Sequence, residues 1–123
     1  MKNSSKQLGL EGEAQAKKHL EEKGYTILEK NWRFKKYEVD LIARKDDLIV
    51  FIEVKTRKNN TFGEPEVFVT RKKQNFLIAA ANQYLMERNI DLSSRFDVVS
   101  LVGIGTELSV NHLEEAFHPT IIK

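Results

Sequence analysis

Four ionisable residues fall on two apolar runs, spaced so that a hairpin would gather three carboxylates and an ammonium on one face. Residues 37–44 read YEVDLIAR and residues 48–55 read LIVFIEVK, with a polar Lys45-Asp46-Asp47 between them. Two β-rich runs joined by a short polar turn form an antiparallel hairpin. With a two-residue turn at Asp46-Asp47, Lys45 pairs with Leu48 and the numbers of every paired couple sum to 93. Asp40 then faces Glu53 and Glu38 faces Lys55, all on one face, because side chains alternate along a strand.

Directly opposed carboxylates have Cβ atoms roughly 4.5–5.5 Å apart and repel. At an effective dielectric near 20 that repulsion is roughly 3 kcal/mol, more than the ~0.2–1 kcal/mol a favourable cross-strand pair contributes. The cluster requires a cation or a proton. Lys55 supplies one charge, and a divalent metal on Asp40, Glu53 and a carbonyl oxygen would supply the rest, since hard cations such as Mg²⁺ take oxygen ligands. The competing reading is an exposed edge face whose carboxylates spread into water.

The elements that must position these groups follow from the flanking sequence. Ser4 or Ser5 can cap a helix running to about Lys23, with Gly24 placed to end it. At about 100° per residue, Leu10, Ala16 and Leu20 form an apolar stripe with Glu13 inside it, while Glu11, Gln15, Lys18 and Glu22 lie opposite. A carboxylate on the core-facing side needs a cation or hydrogen-bond donors; Lys17, one turn on, is within reach. Equally, Glu13 can pack its stem at the rim and keep its head in water. Residues 25–28 predict a strand, and residues 31–34, with Trp32 assigned to the core, lead into the hairpin.

Beyond Lys55, residues 56–69 contain Asn59, Asn60, Gly63 and Pro65, a loop long enough to be functional or disordered, with Phe62 and Phe68 free to pack or to meet a partner. Thr70 caps a second helix to about Arg88 with the stripe Leu77, Ala81, Tyr84 and Leu85. Its first turn carries Arg71, Lys72 and Lys73, cations that oppose the helix dipole and that a docked phosphate would offset; a solvated basic turn is the plainer reading. Gln74 can bond a ligand or face solvent. Residues 95–102 predict a strand with Asp97 inside it, either joining the site or making a strand-end contact. Gly103 and Gly105 turn the chain into a strand at 107–110, followed by a short helix at 113–117 before Pro119.

Composition sets the outer bounds. A chain of 123 residues suits one domain with a genuine core. The net charge of +2 is too small to require a polyanion, but basic runs at Arg33, Lys35 and Lys36, at Lys55, Arg57 and Lys58, and at residues 71–73 bracket the acidic hairpin. There is no cysteine, so disulfides, thiolate metal sites and a cysteine nucleophile are excluded. His19, His112 and His118 lack metal-ligand spacing. Without an apolar leader or a membrane-length apolar stretch, the expected compartment is the cytoplasm.

The order helix, strand, hairpin, helix, strand, strand predicts an α/β domain with a mixed sheet flanked by helices. Glu13, then Asp40, then Glu53-Val54-Lys55 resemble the PD-(D/E)XK nuclease superfamily. Residues 12–14, 38–43, 51–57, 71–74 and 95–99 and the acidic-aromatic tail resemble, more narrowly, the uncharacterised bacterial YraN-like family, which is similar to archaeal Holliday junction resolvases. The resemblance implies a restriction-endonuclease-like fold over residues 1–123 and a Mg²⁺- or Mn²⁺-dependent endonuclease acting on DNA, branched DNA among the forms, with a homodimer left open. It implies Asp40, Glu53 and Glu13 as metal ligands and Lys55 as the residue that positions or activates the attacking water. Arg57, Arg71, Lys72, Lys73 and Gln74 become the nucleic-acid contacts, with Glu38 accessory. Val39 stands where the superfamily has proline and Tyr37 where the family usually has glycine; neither change removes a ligand. A non-catalytic nucleic-acid-binding or assembly module on the same fold is the alternative.

Overall fold

A computed structural model describes residues 5–58, 69–104 and 107–118. Its elements in chain order are α1 (Ser5–Glu22), β1 (Thr26–Phe34), β2 (Tyr37–Lys45), β3 (Leu48–Arg57), α2 (Arg71–Glu87), β4 (Ser93–Ile104) and β5 (Glu107–Leu113). They build one five-stranded sheet in the order β1-β2-β3-β4-β5. Every neighbouring pair is antiparallel except β3 and β4, which are parallel and joined through α2. This is the mixed α/β sheet the sequence predicts, and it is consistent with a restriction-endonuclease-like fold.

The core is split between the two sheet faces. Leu77, Ala80, Ala81 and Tyr84 of α2 pack with Val39, Ile42, Phe51 and Phe96. Ala16 and Leu20 of α1 pack with Leu41, Ala43, Val50, Ile52, Val99 and Leu101. The central strands are therefore covered on both sides, which is why residues 48–52 and 98–102 are almost continuously apolar or small. Gly12 lets α1 lie against β3, because a Cβ there would collide with the side-chain hydroxyl of Thr56.

Local chemistry sets the boundaries. Gly24, at φ +93°, ends α1 in a Schellman motif, with the Gly24 N–H donating to Glu21 O and the Tyr25 N–H to Leu20 O. Asn89, at φ +52°, ends α2 the same way, its N–H donating to Met86 O and that of Ile90 to Leu85 O. Thr70 caps α2 through the Lys73 N–H. Asp46 and Asp47 form the two-residue turn, with Asp46 at φ +55° and Lys45 opposite Leu48.

Four expectations change. Gly103, expected to turn the chain, lies inside β4 and pairs with Leu108 of β5. Residues 26–34 form one continuous strand, because it pairs with β2 from Thr26↔Arg44 to Phe34↔Tyr37. β3 runs on to Arg57, held in parallel register with β4 up to Arg57↔Val102, so the loop begins later than residue 56. The helix expected at 113–117 is absent: β5 extends to Leu113, Glu114 and Glu115 turn, and the Ala116 N–H donates to Phe96 O. The expectations for Ser4, Asn59, Asn60, Phe62, Gly63, Pro65, Phe68, Gly105 and Pro119 lie outside the described residues.

Candidate functional site

The β2–β3 ladder runs from Lys45↔Leu48 to Leu41↔Ile52 in the expected register and stops there. At the next position the Asp40 side chain takes over: its Oδ2 accepts the backbone N–H of Val54 at 2.8 Å. The break is visible in the packing as well. Val39 belongs to the α2-side core and Leu41, two residues on, to the α1-side core, so strict alternation fails at Asp40.

The same irregularity shows in β1. Asn31 lies between the pairs Lys30↔Leu41 and Trp32↔Val39 and adopts φ +52°. Asparagine tolerates this left-handed backbone better than a branched residue would. Glu29 and Trp32, three residues apart, both reach Tyr84 on the α2 side: the Tyr84 hydroxyl donates to Glu29 Oε2 at 3.2 Å, and the Trp32 and Tyr84 rings meet edge-on at 5.2 Å. Asn31 instead sends its amide to Glu13 on α1, with Nδ2 at 3.2 and 3.4 Å from the two carboxylate oxygens.

Charge converges on Asp40. Burial, reinforced by the nearby Glu53 carboxylate, pushes the Asp40 carboxyl up to about 7; Glu13 pushes the same way, while the Val54 N–H and Lys73 oppose them. Glu53 lies on the α2 side of β3, largely buried, with Lys73 Nζ 3.6 Å from its Oε1. That separation is too long for a hydrogen bond, and Oε1 has no hydrogen-bond partner. The cation that the hairpin requires thus comes partly from α2. Lys55 follows Glu53 by two residues, half-buried and in register with Ser100 of β4.

The remaining expected residues divide. Glu38 is not paired with Lys55 in the β2–β3 ladder, which ends at Leu41↔Ile52; it lies directly across from Arg33 on β1 and forms an exposed ion pair with it at 3.0 Å. Arg57 ends β3, and Arg71 and Lys72 are exposed in the first turn of α2. Gln74 is committed to the start of that helix, its amide donating to Val69 O at 2.8 Å. Asp97 stands apart from Asp40. It is buried on β4, where Arg95 donates to it through Nε and Nη2 at 2.8 Å each, His112 Nε2 lies at 2.7 Å, and the Glu115 N–H donates at 3.1 Å. Burial raises the Asp97 carboxyl, but these bonds outweigh it and hold it below its usual range. This latch ties β4 to β5, and Arg95 extends it to the Tyr25 hydroxyl at 2.6 Å.

The sequence reading missed Asn31, whose only signal was an asparagine in a strand of branched and aromatic residues. It also missed the Lys73–Glu53 pair, which no local spacing encodes. Among the described residues no three histidine, aspartate or glutamate side chains converge closely enough to form a ready metal cage. The donor chemistry is nonetheless of the kind a hard cation takes: Asp40 and Glu53 present carboxylate oxygens that repel one another, and Glu53 keeps a buried oxygen without a hydrogen bond.

Comparison with known proteins adds the lineage. The family model described as uncharacterised protein family UPF0102 matches residues 12–101, a span containing Glu13, Asp40, Glu53 and Lys55. A UPF0102 protein of Phocaeicola vulgatus is 45% identical over 115 residues, 94% of this chain and 95% of the relative. One of Flavobacterium psychrophilum is 41% identical over 111 residues, covering 90% and 93%. One of Geobacter metallireducens is 40% identical over 114 residues, covering 92% and 93%.

Proposed function

This chain belongs to the UPF0102 family, known as YraN-like, and from that premise we propose that it is a metal-dependent endonuclease hydrolysing phosphodiester bonds in DNA, branched DNA of the Holliday-junction type included. The observation that carries the reading is the end of the β2–β3 ladder. There the Asp40 carboxylate replaces a backbone pairing and lies against Glu53, with Lys55 two residues further along the same strand.

Asp40 and Glu53 would hold the Mg²⁺ or Mn²⁺, with Glu13 steadied by Asn31 behind them. Such an ion lowers the pKa of a bound water and neutralises phosphoryl charge. Lys55 would place its ammonium against the oxygens on which charge develops. The Val54 N–H fixes the Asp40 carboxylate, so the ligand is oriented before any substrate arrives.

The test is incubation of branched, duplex and single-stranded DNA with Mg²⁺ or Mn²⁺ and with EDTA. Metal-dependent cleavage is expected, falling by about 10²–10³-fold in Glu53→Gln and in Lys55→Ala. Full activity in Glu53→Gln would refute the assignment. A second reading, a nucleic-acid-binding or assembly module without turnover, draws on the Lys73–Glu53 ion pair, which already supplies Glu53 with a cation. Binding without cleavage under every metal condition would favour it.

A further inference from the structure

Beside the acidic site lies a cleft of about 200 Å³ between the β1–β2 turn and the first turns of α2, lined by Tyr37, Thr70, Lys72, Lys73 and Phe76. We propose that this cleft receives the base of an unpaired DNA nucleotide, so that the protein selects DNA with single-stranded character next to the acidic centre. The substrate class rests on the nuclease reading; the base-binding cleft itself is argued from its own walls.

Those walls are aromatic and cationic, and none of the lining residues is acidic. Tyr37 is a large ring left 36% exposed. It leans on Phe76 at 4.4 Å between ring centroids, and Phe76 leans on Phe34 at 6.1 Å. Its backbone is fixed as well, since Phe34 and Tyr37 pair across a two-residue turn with Lys35 at φ +59°. A ring held in place with an accessible surface loses little freedom when a base stacks on it, and such stacking is indifferent to sequence because every base has a π-face. In a duplex those faces are hidden, so only an unpaired nucleotide can use the ring.

The cations surround it as a strand's phosphates require. Lys35 and Lys36 are exposed in the turn on one side, and Lys72 is exposed on the other. Lys73 links the cleft to the acidic site: its Nζ lies 5.5 Å from the centroid of Phe76 and 3.6 Å from Glu53 Oε1. A purely apolar partner would leave these ammonium groups uncompensated, whereas a polyanion with stackable rings satisfies both features at once.

The test is fluorescence anisotropy in EDTA, where no cleavage is required. The probes are a labelled oligothymidylate, an abasic oligomer of equal length and a blunt duplex, offered to wild type, Tyr37→Ala and Tyr37→Phe. Wild type should bind oligothymidylate more tightly than the abasic strand. Tyr37→Ala should lose roughly 5- to 150-fold on oligothymidylate and little on the abasic strand, while Tyr37→Phe stays close to wild type. Equal wild-type affinity for the two single strands overturns the proposal whatever the variants do, as does an unchanged Tyr37→Ala. Equal losses by Tyr37→Ala on both single strands reduce the cleft to a phosphate surface. Base-dependent binding by a protein that never cleaves refutes only the nuclease reading. Base-independent binding by an active nuclease refutes only this one.

Discussion

Replacing Asp40 with asparagine should stabilise the metal-free protein, by an amount that grows with pH. Asp40 ionises in the folded state only near 7, against an ordinary value of 3.8. A carboxyl whose folded pKa is raised binds more protons folded than unfolded between those two values, so stability falls as pH rises through that window. Each pH unit is worth about 1.4 kcal/mol, which sets an upper figure of about 4 kcal/mol above pH 8 and a change of about 2–3 kcal/mol between pH 5 and pH 8. The substituted amide carries no charge at either pH, and its oxygen can still accept the Val54 N–H. At this chain length the variant's advantage in Tm should widen by on the order of 10 °C between the two pH values. The assay is thermal melting of both proteins in EDTA at pH 5 and pH 8, each comparison made at one pH so that all other titrations cancel. Adding ~10 mM Mg²⁺ should return about 1.4 kcal/mol to wild type if the dissociation constant is millimolar, and much less to the variant. A pH-independent difference, or an asparagine variant less stable at pH 8, would refute the reasoning about crowded carboxylates.

Two further outcomes are expected. Arg71→Ala or Lys72→Ala should weaken DNA binding evenly across sequences and lower the slope of log affinity against log salt by about one unit, as loss of one phosphate contact does; anisotropy titrations at several salt concentrations measure it. Asp97→Asn should destabilise the protein by about 3–5 kcal/mol near neutral pH by stranding Arg95. Because the Asp97 carboxyl lies below its usual range, that loss should shrink as pH falls below about 4, which urea titrations at pH 7 and pH 3.5 would reveal.

How much was readable in advance depended on whether the signal was local. The two-residue turn at Asp46-Asp47 fixed the register of β2 and β3, and with it the neighbourhood of Asp40 and Glu53. Thr70 and the stripe through Leu77, Ala81 and Tyr84 placed α2 to within a residue. Glu13 was recognisable as a carboxylate on a buried side, but its partner was not: Lys17 was the near candidate on the helix, and Asn31, across the sheet, holds it. Glu38 was misplaced because the ladder was extended past the point where Asp40 interrupts it, a tertiary event that alternation alone does not announce. Asp97 looked like a strand residue with two fates, and only the arrival of Arg95, His112 and the Glu115 N–H around it decided between them.

The strand order has a kinetic consequence. Every neighbour in the sheet is also a neighbour in sequence, and all but one pair are separated by only two residues of chain. The β2–β3 hairpin can therefore zip early from its turn towards its acidic end, whereas β4 must wait for closure of the segment carrying α2. The two carboxylates then come together before Lys73 is available to them, and the helix that completes the parallel pair also delivers their counter-charge. The substitution Lys73→Met should accordingly speed unfolding and leave the folding rate nearly unchanged. A chevron in which the folding arm moves instead would mean that α2 docks before the hairpin has closed.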